Sequence, residues 1–233
     1  MEKEVKKLFD DYNQNFEKLS ILLKDELPRS LKLFNIRFRL ALDIMVDFKG
    51  EVSLTKTKEV RDTYVLLAKL MESWNAYEAL FHYVKETKKY ANVKTSIYKA
   101  YSEAFLTEVG SMPVLKESLD NIKTQFANND SFKKDFKQYI QKIIDNENIV
   151  PSLTDYCKRF IDCFEKGKKI SGIEIIALIY TERNMYYHNG ETAKMGISYK
   201  NRQYLLKTLT ASFHKHILLL ITKILEKEYQ EKK

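Results

Sequence analysis

The sequence predicts an all-α fold, a helical bundle, and three observations support this. Only six Gly and three Pro occur among 233 residues, so the chain has little material for the tight turns that sheets require. Apolar residues recur at helical spacing along most of the chain. No run of alternating Val, Ile or Thr residues bounded by turn residues is present, so we predict no major strand.

Residues 1–52 are predicted to form an N-terminal helical layer of two helices, either added to the bundle or integral to one domain. The first helix spans 3–25 and stops before Pro28, and the second runs from about 30 to 48 and ends at Gly50. The first has its apolar side at Leu8, Tyr12, Phe16, Leu19 and Leu23. The second has its apolar side at Leu33, Ile36, Leu40, Ile44 and Met45.

Residues 58–233 are predicted to form the main helical bundle, beyond a short polar link. Its first helix, at about 58–88, contains the single tryptophan, Trp74. Ser171 with Glu174 has the spacing of a capping box and opens a later helix, which Gly190 closes. The other helices are expected at 93–108, 114–127, 131–146, 152–166 and 201–228.

Composition indicates a globular protein and leaves its partners open. Hydrophobic residues make up 44% of the chain and charged residues 31%, which excludes a disordered segment. The net charge of +8 permits a polyanionic partner such as nucleic acid, although lysine-rich helical surfaces are also ordinary.

The ends of the chain and its cysteines predict a cytoplasmic protein without a membrane partner. The charged start M-E-K-E-V-K-K has no signal-peptide pattern, and the apolar run I-L-L-L-I-T-K-I-L is too short to span a bilayer. Cys157 and Cys163 are six residues apart and point to different faces of a helix, so they form neither a local disulfide nor a metal clip.

The stretch T-E-R-N-M-Y-Y-H-N-G-E, Thr181 to Glu191, places three polar groups at the end of an apolar helix. Arginine offers a fork of donors suited to phosphate, and histidine exchanges a proton near neutral pH. RNA supplies its own nucleophile, the 2′-hydroxyl, so this pair suffices without a metal or another cofactor. Cleavage moves two protons, however, and one histidine does not readily move both in a single step.

Helix geometry limits how these side chains meet. Asn184 and His188 are one turn apart and share a face, whereas Arg183 and His188 are about 140° apart. They converge only if the last turn loosens before Asn189-Gly190. A second histidine is expected from another copy of the chain, so we expect a homodimer.

The segment I-I-A-L-I-Y-T-E-R-N-M-Y-Y-H-N-G-E resembles the signature helix of the HEPN superfamily, in which an Arg precedes a His by four to six residues. The segment W-N-A-Y-E-A-L-F resembles an earlier core helix of some members. The resemblance covers about residues 58–230, and Asn189 is an insertion relative to the H-G continuation of relatives.

The resemblance implies a HEPN-like core and a metal-independent endoribonuclease with a composite site at a dimer interface. Arg183 and His188 would be catalytic and Asn184 would assist them, while we assign Tyr187 and Lys194 to substrate binding. Members act in toxin–antitoxin, phage-defence and CRISPR systems. RNA and an antitoxin or another defence protein are therefore the expected partners, with no metal.

Three alternatives give these residues no catalytic role. Arg183 and His188 interact favourably with the end of a helix, and Arg183 is a candidate partner for Glu78 in a structural ion pair. The chain would then be a non-catalytic HEPN-like module that binds RNA or a nucleotide. Alternatively it docks a protein partner through its last helix, from Leu205 to Leu225.

Overall fold

Helices account for nearly all of the computed structural model, and the all-α prediction is confirmed for the residues it describes. These are 3–46, 57–92, 94–189 and 194–233, and of residues 187–189 it describes the backbone alone. The helices are α1 (Lys3–Leu23), α2 (Arg29–Asp43), α3 (Lys58–Thr87), α4 (Glu103–Glu108), α5 (Ser111–Asn128), α6 (Asp130–Ile144), α7 (Pro151–Lys166), α8 (Ile173–Asn189) and α9 (Tyr199–Lys232). The described residues also contain two short 3₁₀ turns, Lys24–Glu26 and Ile97–Lys99.

Helix α9 is the central element, and α1, α3 and α5 pack around it. Its apolar residues are distributed around the whole helix, which is the pattern of a helix buried on all sides. The segment from Leu205 to Leu225 is covered by the protein's own core, so it is not an exposed docking surface. Its buried apolar residues are Leu205, Leu206, Leu209, Phe213, Ile217, Leu218, Leu220, Ile221, Ile224 and Leu225.

An aromatic group at Trp74 joins α3, α8 and α9. The Trp74 ring stacks on Phe213 of α9 at a centroid distance of 5.7 Å. The same ring also contacts Tyr180 of α8, at 5.0 Å. Because Tyr180 precedes Arg183 by less than one turn, this packing sets the depth at which the polar end of α8 leaves the core.

The two N-terminal helices belong to the same apolar cluster as Trp74. Helix α1 packs on α9 and α2 packs on α3, while Tyr12 of α1 donates a hydrogen bond to Asn35 of α2 at 2.9 Å. Phe38 of α2 meets the edge of the His214 ring of α9 at 5.6 Å. The division of the chain into residues 1–52 and 58–233 stays a prediction.

The predicted apolar face of α2 is wrong. The helix ends at Asp43 and buries Phe34 and Phe38 together with Leu31 and Ala41. The expected core residues Leu33, Ile36, Leu40 and Met45 are exposed, Ile44 is half-buried, and Gly50 lies outside the described residues. Apolar residues occur on two faces of this helix, and the face with two phenylalanines has more area to remove from water.

The predicted helix at 93–108 is only one short helix, α4. The Ser102 hydroxyl accepts a hydrogen bond from the Phe105 amide at 3.2 Å and caps it. Upstream, Tyr98 and Tyr101 are buried outside any α-helix, and Tyr98 stacks on Tyr180 at 5.3 Å. Burial of these rings against the core outweighs the local helical pattern. The other helix boundaries agree with the predictions to within a few residues.

Two histidines of α9 are buried beside serine hydroxyls. His214 Nε2 lies 2.6 Å from Ser73 Oγ, and His216 Nδ1 contacts Ser111 Oγ. Burial lowers the pKa of His214 to about 4, with a smaller contribution from the nearby Lys69 ammonium. Burial alone lowers the pKa of His216 to about 3. Both imidazoles are therefore neutral in the folded protein at neutral pH.

These two histidines should make the protein less stable in mild acid. An unfolded histidine has a pKa of about 6.5, so below that pH the unfolded chain binds protons that the folded chain excludes. The free energy of unfolding should fall as the pH drops from 6.5 towards 4, by up to about 1.4 kcal/mol per pH unit for each histidine. We expect the unfolding free energy of His214→Gln and of His216→Gln, measured with urea between pH 5 and 7, to depend less steeply on pH than that of the wild type. The exposed His82 gives the matched control, since His82→Gln should keep the pH dependence of the wild type. The same pH dependence in all variants would show that the two buried histidines are not its source.

Candidate functional site

Helix α8 carries the predicted motif from the core to the surface. Its first turns are buried at Ile175, Ile176, Ala177, Leu178 and Ile179. The backbone stays helical to Asn189, so the loosened turn expected before Asn189 is absent. Positions 183 and 188 therefore remain about 140° apart around the helix axis. Gly190 and the side chains of Tyr187 and His188 lie outside the described residues.

Arg183 lies next to Glu78, as expected if the two residues form a structural ion pair. Its side chain is 21% exposed, and Nη2 lies 3.6 Å from Glu78 Oε1. The same carboxylate oxygen accepts a hydrogen bond from Trp74 Nε1 at 2.8 Å. Arg183 is thus placed beside a carboxylate that is itself held by the aromatic core.

Asn184 contacts the neighbouring Arg183 through its side chain. Its Oδ1 accepts a hydrogen bond from Arg183 Nη1 at 3.2 Å, and the residue is half-buried. The amide oxygen therefore holds one arm of the guanidinium fork. Lys194 is exposed, and its ammonium lies 5.3 Å from the centroid of the Tyr199 ring.

A buried ion pair lies directly beside the motif. Glu182 is fully buried and accepts two hydrogen bonds from Arg202 of α9, at 2.5 and 2.6 Å. Tyr139 of α6 donates a third hydrogen bond to Glu182 Oε1 at 2.5 Å. The Arg202 guanidinium lies over the Tyr139 ring at 5.3 Å and donates to Met195 Sδ at 3.3 Å. This network fixes the end of α8 to α6, to α9 and to the segment that follows α8.

The electrostatics of the network favour the charged form of Arg202. Burial opposes the charge on Arg202, but the Glu182 carboxylate outweighs it and raises the pKa of the guanidinium. Burial and the same carboxylate raise the pKa of Tyr139 well above its usual value, so its hydroxyl stays protonated and donates.

Sequence reasoning missed this network, although one signal was present. Glu182 follows Ile175 and Leu178 at helical spacing, so it lies on the stripe that the core buries. A carboxylate on a buried stripe requires a partner. The partner is 20 residues away in another helix, where nothing in the local pattern identifies it.

A groove lies next to the end of α6 and the segment that follows α8. It has a volume of about 790 Å³ and is bordered by Met195 and Gly196. Asn146 Nδ2 contacts Met185 Sδ at 3.4 Å and so connects this side to α8. Its other lining residues are mainly polar and come from the end of α6 and the turn after it: Gln138, Gln141, Lys142, Asp145, Glu147 and Asn148. Position 188 is about 60° from Met185 around the helix, whereas position 183 is about 160° from it.

A second cavity, at the opposite end of α8, contains none of the predicted site residues. It has a volume of about 660 Å³ and lies next to Arg159, Lys168 and Glu174. Glu174 is buried and accepts a long contact from Arg159 at 3.4 Å, so the second half of the predicted capping box is used elsewhere. The Ser171 hydroxyl accepts from the Ile173 amide, two residues on, at 3.2 Å, whereas a capping box would bond the amide of Glu174, three residues on.

Comparison of the chain with protein-family models, with curated proteins and with solved structures gave no match. The resemblance to the HEPN superfamily therefore stays a prediction. Within the described ranges, no helix combines the length and apolar character needed to cross a membrane. In the same residues, no cluster of three or more His, Cys, Asp or Glu side chains is arranged to hold a metal ion.

Removing the positive member of the buried pair should strongly destabilise the protein. Arg202→Met leaves the Glu182 charge buried without its main partner, which should cost about 3–5 kcal/mol of unfolding free energy. Chemical denaturation measures this loss. The double variant with Glu182→Leu removes both charges and should recover most of it, because two neutral side chains leave no buried charge uncompensated.

The matched control is Arg37→Met, which removes a partly exposed arginine paired with Glu72 at 3.0 Å. Solvent screens that pair, so the variant should lose far less stability. Equal losses for Arg202→Met and Arg37→Met would contradict the central role of the Glu182–Arg202 pair.

Proposed function

We propose that this chain is a metal-independent endoribonuclease of the HEPN type, which cleaves RNA at a composite site formed where two copies meet. Its biological role would be phage defence or that of a toxin, in the cytoplasm. The observation that carries the proposal is the placement of Arg183, Asn184 and position 188 on the last turns of a helix whose preceding residues are locked in the core.

The arginine has the geometry to accept a phosphate in place of its present neighbour. Its contact with Glu78 is 3.6 Å long, beyond hydrogen-bond distance, and part of the side chain reaches solvent. Asn184 keeps one arm of the guanidinium oriented. A phosphate that displaces Glu78 would gain two charge-assisted hydrogen bonds from the guanidinium fork.

The chemistry would follow from these groups and the 2′-hydroxyl. One His188 removes the 2′-hydroxyl proton, the 2′-oxygen bonds to phosphorus, and the bond from phosphorus to the 5′-oxygen breaks. The His188 of a second copy, already protonated, delivers a proton to the leaving 5′-oxygen. The products are a 2′,3′-cyclic phosphate and a 5′-hydroxyl. Arg183 stabilises the charge that develops on the phosphoryl oxygens.

Helix geometry supports a site shared between two copies. Positions 183 and 188 lie on different sides of α8, and the helix does not unwind to bring them together. The groove near Met185 would hold the RNA, because its amide side chains both donate and accept hydrogen bonds. Lys194 and Tyr187 would contribute a phosphate contact and a stacking surface.

RNA cleavage in the presence of EDTA tests the proposal. Arg183→Ala and His188→Ala should each reduce the rate by about 10²-fold or more, because general acid–base and charge stabilisation each contribute on that scale. Arg159→Ala, at an exposed position near the opposite end of α8, is the matched control and should cleave at the wild-type rate. Cleavage that survives both motif substitutions would refute the assignment.

Mixed dimers test whether the site is shared. If each site needs two His188 side chains, only dimers of two wild-type copies are active. In a co-expressed mixture of wild type and His188→Ala, the remaining activity should therefore be proportional to the square of the wild-type fraction. Activity that is directly proportional to the wild-type fraction would mean that a single His188 suffices for cleavage.

The second candidate function is a non-catalytic HEPN-like module that binds RNA or a nucleotide, and the Arg183–Glu78 contact favours it. In that case Arg183 serves mainly to neutralise Glu78 beside Trp74.

Glu78→Gln separates the two candidates. The amide keeps an acceptor for Trp74 Nε1 but removes the charge that competes with phosphate. Under the nuclease proposal, affinity for a non-cleaved RNA should rise by about fivefold, as a contribution near 1 kcal/mol predicts. Filter binding at fixed salt measures it, and Glu72→Gln, which alters the contact with Arg37, is the control. A loss of thermal stability with unchanged RNA affinity would instead assign Arg183 a structural role.

A further inference from the structure

The outward face of α2 exposes a row of large apolar side chains. Leu33 is 44% exposed, Ile36 62% and Leu40 43%, and their spacing of three and four residues places them on one side of the helix. Single exposed apolar residues are normal on a protein surface, whereas a contiguous row indicates an interaction site.

The row does not result from a loosely packed helix. The opposite face of α2 is completely buried at Leu31, Phe34, Phe38 and Ala41, where it packs on α3. A helix with one fully buried face ordinarily presents polar residues to water on the other. The three aliphatic side chains on the outward face therefore call for a second apolar surface.

Residues of opposite charge at the two ends of the row indicate which surface would cover it. Arg29 and Asp43 are exposed and extend the row to positions 29, 33, 36, 40 and 43, which is the alternating four-and-three spacing of a helix–helix seam. Each is seven residues from Ile36, or about 10.5 Å along the helix. Neither has an ion pair among the contacts of the described residues. Lys32 adds positive charge at the Arg29 end.

This pattern is complementary to itself when two copies run antiparallel. A two-fold axis near Ile36 places Leu33 opposite Leu40 of the second copy and Arg29 opposite its Asp43. A parallel arrangement would place Arg29 against Arg29 and Asp43 against Asp43, which like-charge repulsion disfavours. Arg39 is also exposed, but it is directed to α1, where it donates to Asn13 Oδ1 at 2.6 Å.

We propose that two copies of this chain associate through α2, antiparallel and about a two-fold axis near Ile36. We call the surface formed by Arg29, Leu33, Ile36, Leu40 and Asp43 the α2 face. The aliphatic row supplies the apolar centre of the interface, and the two Arg29–Asp43 pairs fix its direction and register. This association does not rest on the proposed function, which concerns α8.

Analytical ultracentrifugation tests the association. The full chain should sediment as a dimer, or as a tetramer if copies also meet at α8, and Ile36→Glu should halve that mass. Val150→Glu makes the same change at an exposed apolar residue outside this region and should leave the mass unchanged. Circular dichroism of each variant checks that the fold is retained. A monomeric wild type, or an Ile36→Glu variant with unchanged mass, would overturn the proposal.

A charge exchange tests the antiparallel register. Arg29→Asp and Asp43→Arg should each weaken association of the variant with itself, because every pair becomes a like-charge contact. Mixed in equal amounts, the two variants should associate with each other, since both pairs are then restored. Failure of the mixture to exceed either variant alone would exclude this register. His188→Ala should leave the association intact while abolishing RNA cleavage, which separates this proposal from the first.

Discussion

The ion pair between Glu182 and Arg202 is the constraint on which the end of α8 depends. Two full charges lie in an apolar interior, where each unpaired charge would cost several kcal/mol. Their bidentate geometry and the Tyr139 hydroxyl satisfy the carboxylate, so the arrangement is favourable only when all three groups are in place. Because α6, α8 and α9 each supply one group, the network sets the register of three helices at one point.

Two neighbouring residues of α8, Glu182 and Arg183, each form an ion pair, but the two pairs differ in burial and in length. Glu182 is sealed in the core and bonds to its arginine at 2.5–2.6 Å, whereas Arg183 is partly exposed and lies 3.6 Å from its carboxylate. Desolvation makes the first pair rigid, and solvent access leaves the second open to exchange. The end of α8 therefore holds a buried, bidentate ion pair next to a longer and more solvent-accessible one.

Sequence patterns captured what is local and missed what depends on distant partners. Helical spacing and the scarcity of Gly and Pro were sufficient for most of the helices, but not for residues 94–102, which form no α-helix. The face of α2 was not predictable, because both of its sides are apolar and only packing against α3 selects Phe34 and Phe38. The Glu182–Arg202 pair was missed for a related reason: the spacing of Glu182 indicates burial, but nothing in the local pattern identifies Arg202 as its partner. Glu78 was recognised as a candidate partner of Arg183, because its aromatic neighbours indicated partial burial.

The central position of α9 has a consequence for the order in which the protein is made. Helices α1, α3 and α5 all pack on a segment that the ribosome synthesises after them. Until residues 205–225 have left the exit tunnel, Trp74 has no Phe213 to stack on, and the apolar sides of the earlier helices have no common surface to cover. These apolar sides therefore stay uncovered on the nascent chain until α9 emerges, and exposed apolar surface of this kind favours aggregation.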